Sequence, residues 1–275
     1  MSHMSGSAET RTIDGLAVTF HGPADGTPVL MSAGLGGHGA YWKPQATALA
    51  EHGFRVILYD HRGTGASSRA PLPSPYVARH LAADMAKILD GLDIHAAHIV
   101  GHAAGGIAGL ELALRHPDKV ASLTVVNGWA VADRHFKRCF EIRTAIYQAG
   151  GPLAYLKAQP LFLFPADWIS DHLDELDEQA AHHAPGFQDE ATLKARIGAL
   201  AGFDVTADLG GVRCPVLLIG SEDDMLVPVK CSRQLAAGLP DAVLVLMPRG
   251  GHAVNITEAT SFDSHLIGFL EKAGR

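Results

Sequence analysis

Four short apolar runs recur along the chain, and each ends in turn-forming residues. Val29-Leu30-Met31 leads into Ser32-Ala33-Gly34, Ala97-His98-Ile99-Val100 into Gly101, Pro215 to Ile219 into Gly220, and Ala242 to Met247 into Pro248-Arg249-Gly250. Apolar runs of this length, without strict alternation, suit strands covered on both faces of a parallel sheet. Ala104 to His116 reads as a helix, and a helix-like run follows Pro228. Between about Ala130 and Phe203 the pattern turns helical: Arg134 to Gln148 carries apolar residues at Phe136, Phe140, Ile142 and Ile146, and Gly150-Gly151-Pro152 breaks it. The pattern predicts an α/β protein with a mostly parallel central sheet and helices on both faces. Residues 1–129 and 204–275 would form its core, and residues 130–203 an inserted helical lid roofing the active edge of the sheet. No internal repeat or low-complexity run interrupts this plan.

The turns after the strands carry the chemistry. Gly101-His102-Ala103-Ala104-Gly105 has the frame of the G-x-S-x-G nucleophile elbow, with Ala103 where the serine would stand. The two glycines fit a strained strand-to-helix turn that leaves no room for neighbouring side chains. An acid follows the third run, in Gly220-Ser221-Glu222-Asp223-Asp224, and a histidine follows the fourth, in Arg249-Gly250-Gly251-His252-Ala253. The order elbow, acid, histidine is the α/β-hydrolase order. The D-x-x-V-P spacing favours Asp224 as the acid, with Asp223 as the alternative. In this fold, one oxyanion donor comes from the loop after the first run and the other from the residue after the elbow, here the N–H groups of Leu35 and Ala104. Tyr59 to Gly65 reads as a turn stabilised by Asp60 and Arg62, a feature of the fold more than of the chemistry.

Together these segments resemble the α/β-hydrolase fold, and most closely the RutD family, the aminoacrylate hydrolases of the bacterial uracil-degrading Rut pathway. The resemblance extends from about Val29 through Val126-Asn127-Gly128-Trp129, Arg138-Cys139-Phe140, Ala158 to Trp168 and Arg213-Cys214-Pro215-Val216 to Gly250 to Asn255. It implies that alanine at the elbow is a native option. An engineered replacement of serine stays open, because Met1-Ser2-His3-Met4-Ser5-Gly6-Ser7 looks like the remnant of an expression tag. Gly34, His38, His102, Trp129, Arg138, Phe162 and Trp168 are the candidate substrate contacts, with packing as the alternative role for His102 and the lid aromatics, and a surface position as the alternative for Arg138.

Composition narrows the class. The 275 residues are 47% hydrophobic and 19% charged, enough for a substantial core, and the formal net charge of −7 comes without a basic block that would bind nucleic acid. No apolar run approaches the roughly 20 residues needed to span a bilayer, and the N-terminus shows no signal-peptide core, so the expected compartment is the cytoplasm. Cys139, Cys214 and Cys231 lack metal or redox spacing and read as reduced and structural. The sixteen histidines are dispersed, and His182-His183 has no zinc-site companion, so no metal and no cofactor is expected. The expected partner is a small-molecule substrate; the oligomeric state stays open, a homodimer being one option.

Without a serine, chemistry falls to His252 oriented by Asp224, acting as acid or base on water or a leaving nitrogen. The resemblance supplies suitable labile substrates, 3-aminoacrylate or carbamate, both releasing ammonia. Two other readings remain: a serine esterase or C–C hydrolase whose nucleophile has been replaced by Ala103, and a non-catalytic protein that binds a small ligand.

Overall fold

The computed structural model describes residues 10–274, so the stretch Met1 to Ser7 read as a tag lies outside the described residues. Its framework is an eight-stranded sheet of β1 (Thr10–Ile13), β2 (Leu16–His21), β3 (Thr27–Ser32), β4 (Phe54–Tyr59), β5 (Ala97–His102), β6 (Val120–Val126), β7 (Val216–Ser221) and β8 (Ala242–Met247). The spatial order is β1-β2-β4-β3-β5-β6-β7-β8. Only the β1–β2 and β2–β4 pairings are antiparallel; every pairing from β4 to β8 is parallel. All six residues of β5 and of β7 are buried, as central parallel strands covered on both faces require.

Helices α1 (Lys43–Glu51), α2 (Ala78–Gly91) and α3 (Ala104–Arg115) follow the early strands, and α9 (Lys230–Gly238), α10 (Val254–Thr257) and α11 (Ala259–Ala273) the late ones. Two apolar clusters cover the two sheet faces. One gathers α2 and α3 through Leu81, Met85, Ile107 and Leu110, and the other gathers α1 and α11 through Trp42, Leu49, Phe262 and Leu266. Between β6 and β7 run α4 (Arg134–Ala158), α5 (Pro160–Leu163), α6 (Ala166–Asp171), α7 (Leu173–His183) and α8 (Glu190–Ala201). The ends of this insertion are stitched together: Val131 bridges Asp204, Val205 N donates to Ala130 O at 3.0 Å, and Ala132 N donates to Phe203 O at 3.3 Å.

α4 begins at Asp133, whose side chain accepts from His135 N, and kinks at Gly151 (φ 69°, ψ −165°), just before Pro152. The expected break is therefore present, but the helix resumes beyond it. Its inward face also differs from the apolar pattern. The chain buries Phe136, Cys139, Phe140 and Arg143, whereas Ile142 is 49% exposed. Positions 136, 140 and 143 are spaced by four and three and so share one side of a helix, and that geometry places an arginine where an aliphatic residue was expected.

No helix among the described residues is long and apolar enough to cross a membrane, and no group of three His, Cys, Asp or Glu side chains among them could hold a metal ion. All three cysteines are free thiols, and burial pushes each above the ordinary thiol range.

Candidate active site

Ala103 stands between β5 and α3 with φ 47° and ψ −104°, a backbone conformation costly for a residue with a Cβ. The surroundings hold it there: Ala103 N donates to Val126 O at 2.9 Å, and Ala103 O accepts from Ile107 N at 3.0 Å. The flanking glycines are steric necessities. A Cβ on Gly101 would lie 2.3 Å from the Gly105 backbone, and one on Gly105 would lie 2.2 Å from Ser32 O. Gly105→Ala is therefore expected to lower stability by about 3 kcal/mol, because β3 and α3 must move apart; thermal unfolding against the parent chain measures it.

His252 lies on the loop after β8 and is 2% exposed. Its Nδ1 is 2.7 Å from Asp224 Oδ2, and Asp224 Oδ1 accepts from Leu226 N and Val227 N at 2.7 and 2.8 Å. With Nδ1–H directed at the carboxylate, Nε2 is left as the basic nitrogen. Asp223 faces another way. It accepts from Ser221 Oγ, Gly251 N and Gly250 N, shaping the loop that carries His252. Burial pushes the Asp223 carboxyl up, but these three donors outweigh it and leave the group below the ordinary carboxylate value. The structure thus places Asp224, and not Asp223, against the histidine.

Two further side chains fix that loop. His102 donates through Nε2 to His252 O at 2.9 Å, and the two rings meet at a tilt of 59° with centroids 4.5 Å apart. Burial, with the neighbouring His252 adding to it, drives His102 well below the ordinary imidazole value, so it is a neutral donor. Asn127, at the end of β6 with φ 49°, donates to His252 O at 2.8 Å and Gly251 O at 3.2 Å, and accepts from Ser221 N at 3.0 Å. It was read in sequence only as part of a family segment; the signal that could have singled it out is asparagine, which tolerates a left-handed backbone, directly after an apolar strand. Asn127→Ala is expected to cost about 2–4 kcal/mol by leaving three buried backbone groups short of a partner, measurable as a lowered urea midpoint.

These groups surround a cavity of about 490 Å³. Ala33 to His38, His102, Ala103 and His252 line its sheet side, and Phe136, Phe140, Arg143, Gln159 and His183 line it from the insertion. Leu35 and Gly34 are on the wall as expected, and Ala104 is the first residue of α3, whose N–H is among those a helix leaves without an intrahelical partner. His38 is half-buried, with burial lowering its imidazole, and its ring is 5.9 Å from that of His183 at the cavity mouth. His183 is exposed to solvent, as the reading of a solvated helix face required, yet it also borders the cavity. Trp129 is buried, lines the wall and packs on Phe136 at 4.5 Å.

Three expected contacts are corrected. Arg138 lies about 200° around α4 from Phe136, so its side chain is 74% exposed and pairs with Glu141 at 2.9 Å instead of facing the cavity. Phe162 packs against the core and under the Arg143 guanidinium at 5.5 Å, off the wall. Trp168 is held between Phe164 and His172, with centroids at 4.3 and 3.9 Å, likewise off the wall. In the Tyr59–Gly65 turn, Asp60 does bind the turn through Gly39 N and Ala66 N, both at 2.9 Å, whereas Arg62 reaches away to Asp84 and Asp14.

Residues 27–150 match the family model described as alpha/beta hydrolase fold, and residues 204–275 one described as TAP-like protein. RutD of Caulobacter sp. (strain K31), named a candidate carbamate hydrolase, is 49% identical over 264 residues, covering 95% of this chain and 98% of its own. The chain belongs to the RutD family of α/β-hydrolases. The RutD protein of Variovorax paradoxus (strain S110) is 48% identical across 92% of this chain and 94% of its own. Among solved structures, the enol-lactonase of Burkholderia xenovorans LB400 superposes with a TM-score of 0.84 at 25% identity, covering 96% of this chain and all of that one. This chain is thus a hydrolase of that family, with Ala103 at the elbow position.

Proposed function

We propose that this protein accelerates the hydrolysis of an unstable small molecule in pyrimidine nitrogen catabolism, 3-aminoacrylate or carbamate, without a covalent intermediate. The observation that carries the reading is a paired Asp224–His252 couple facing a cavity whose elbow residue ends in a methyl group. A methyl cannot attack a carbonyl, so the oxygen that enters the product must come from water. For aminoacrylate, a proton added at C2 converts the enamine into an iminium at C3. His252 Nε2 takes a proton from water as its oxygen bonds to C3, returns that proton to nitrogen, and then takes the hydroxyl proton as the C=O forms and the C–N bond breaks, giving malonic semialdehyde and ammonia and restoring the proton spent at C2. Leu35 and Ala104 N–H groups would hold developing negative charge, a role that needs no side chain. For carbamate, the same acid protonates nitrogen as carbon dioxide departs.

The helical insertion, residues 130–203, serves in this reading as a lid over the core formed by residues 1–129 and 204–275. It supplies the apolar cavity wall, and its α5 end is bonded to the His252 loop, Leu163 O accepting from Ala253 N at 3.0 Å. Excluding bulk water there strengthens the hydrogen bonds made to the reacting atoms. The test is ammonia release from enzymatically generated aminoacrylate and from carbamate, with and without the protein; rates equal to the spontaneous ones for both would sink the proposal.

A further inference from the structure

Arg143 is a buried guanidinium that no carboxylate neutralises. It lies on the inward face of α4, is 4% exposed, and is the one lysine or arginine among the described residues lining the cavity. Of its five N–H donors, one has a protein acceptor: Nη2 donates to Gln159 Oε1 at 3.0 Å, while Nε is buried without a partner. The rings of Phe140 and Tyr155 flank its guanidinium at 4.8 and 4.7 Å, and among the described residues no carboxylate lies within ion-pair reach. A cation taken out of water without a counter-ion is costly, and a chain that keeps one on a cavity wall has prepared a place for an anion. Gln159 lines the same wall, and with Oε1 committed to Arg143 its amide nitrogen is a second donor for that anion.

We propose that Arg143, assisted by Gln159, binds the carboxylate of the substrate, and that the substrate class is a short carboxylic acid whose reacting carbon is separate from its carboxyl carbon. A cation and a base on one wall distinguish the two substrates. Arg143 is held by Gln159, Phe140 and Tyr155, and His252 by Asp224, His102 and Asn127, so one cavity wall carries a cation and a base fixed by separate sets of side chains. A three-carbon acid such as aminoacrylate can place its carboxylate at the first and C3 at the second. In carbamate the carboxyl carbon is itself the reacting carbon, and one end would be left unused. This inference rests on the reading of the cavity as the reaction site.

The experiment compares acrylate with acrylamide, a near-isosteric neutral partner, by titration calorimetry on the full chain and on R143M and R143K. Acrylate is expected to bind at least tenfold more tightly than acrylamide, R143M to lose at least tenfold in acrylate affinity while leaving acrylamide unchanged, and R143K to keep part of the preference. For aminoacrylate turnover, R143M should raise KM more than it lowers kcat. R143M should melt no lower than the parent, since it removes an unpaired buried charge; a purely structural arginine predicts a lower melting temperature and unchanged acrylate binding. Equal affinity for acrylate and acrylamide, no acrylate binding, or an unaffected R143M overturns the assignment, and the acrylate–acrylamide comparison on the parent chain stands even if R143M does not fold. Acrylate binding without accelerated ammonia release sinks the hydrolase reading alone; accelerated release without an acrylate preference sinks the Arg143 assignment alone.

Discussion

His252→Ala is expected to return ammonia release from aminoacrylate to the spontaneous rate, a fall of about 10²–10⁴-fold from the parent. The size follows from how much the site asks of one residue. With a methyl at the elbow, the neighbours of His252 are committed elsewhere: His102 is a neutral donor to His252 O, and Tyr41 donates to Asn255 Oδ1. Asp224 has no role apart from His252, since its second oxygen is spent on Leu226 N and Val227 N. Asp224→Asn should therefore give nearly the same loss, by favouring the wrong imidazole tautomer, and the double variant little more. Stopped-flow loss of aminoacrylate absorbance, corrected for its spontaneous decay, reads all three. A His252→Ala protein as fast as the parent would remove the histidine from the mechanism.

Ala103→Ser is expected to produce an esterase, with hydrolysis of p-nitrophenyl acetate rising by about 10³-fold or more over the parent chain. The backbone at Ala103 already adopts the strained elbow conformation, held by hydrogen bonds from its own N–H and to its own carbonyl, so the substitution adds an oxygen and asks for no rearrangement. The paired His252 and Asp224 would serve as the base that activates it. The same variant separates two origins of the alanine. If the parent chain accelerates ammonia release and serine adds esterase activity without improving that release, the water route belongs to the site as it stands. If ammonia release depends on the serine, the parent is a disabled nucleophilic hydrolase.

Much of this site was legible in the sequence because its groups sit where strands end. Apolar runs located β3, β5, β7 and β8, and the residues just beyond them are Leu35, Ala103, Asp224 and His252. The choice of Asp224 over Asp223 rested on spacing and is matched by the contact with His252; spacing said nothing of the work done by Asp223 on the loop glycines. The insertion was harder to read. Hydrophobicity marks Ile142 as part of the apolar pattern and gives no sign of Arg143, yet the helix buries Arg143 and leaves Ile142 exposed. For Arg138 charge alone suggested a carboxylate contact, while its angle around α4 gives the surface position that stood as the other reading. Asn127 and His102 work through carbonyl groups of a loop more than a hundred residues away in the chain, and no local pattern encodes that.

The bond between Leu163 O and Ala253 N gives the two sides of the roof different duties. A Cβ on Gly251 would lie 2.8 Å from the same carbonyl, so at this seam the backbones are packed as tightly as within a core. Lifting the roof here would drag the His252 loop with it and take the base away from Asp224. If the cavity is the reaction site, substrate and ammonia would pass elsewhere on its wall, as beside His38 and exposed His183, whose rings lie 5.9 Å apart. The seam would then keep the Asp224–His252 couple assembled while molecules come and go.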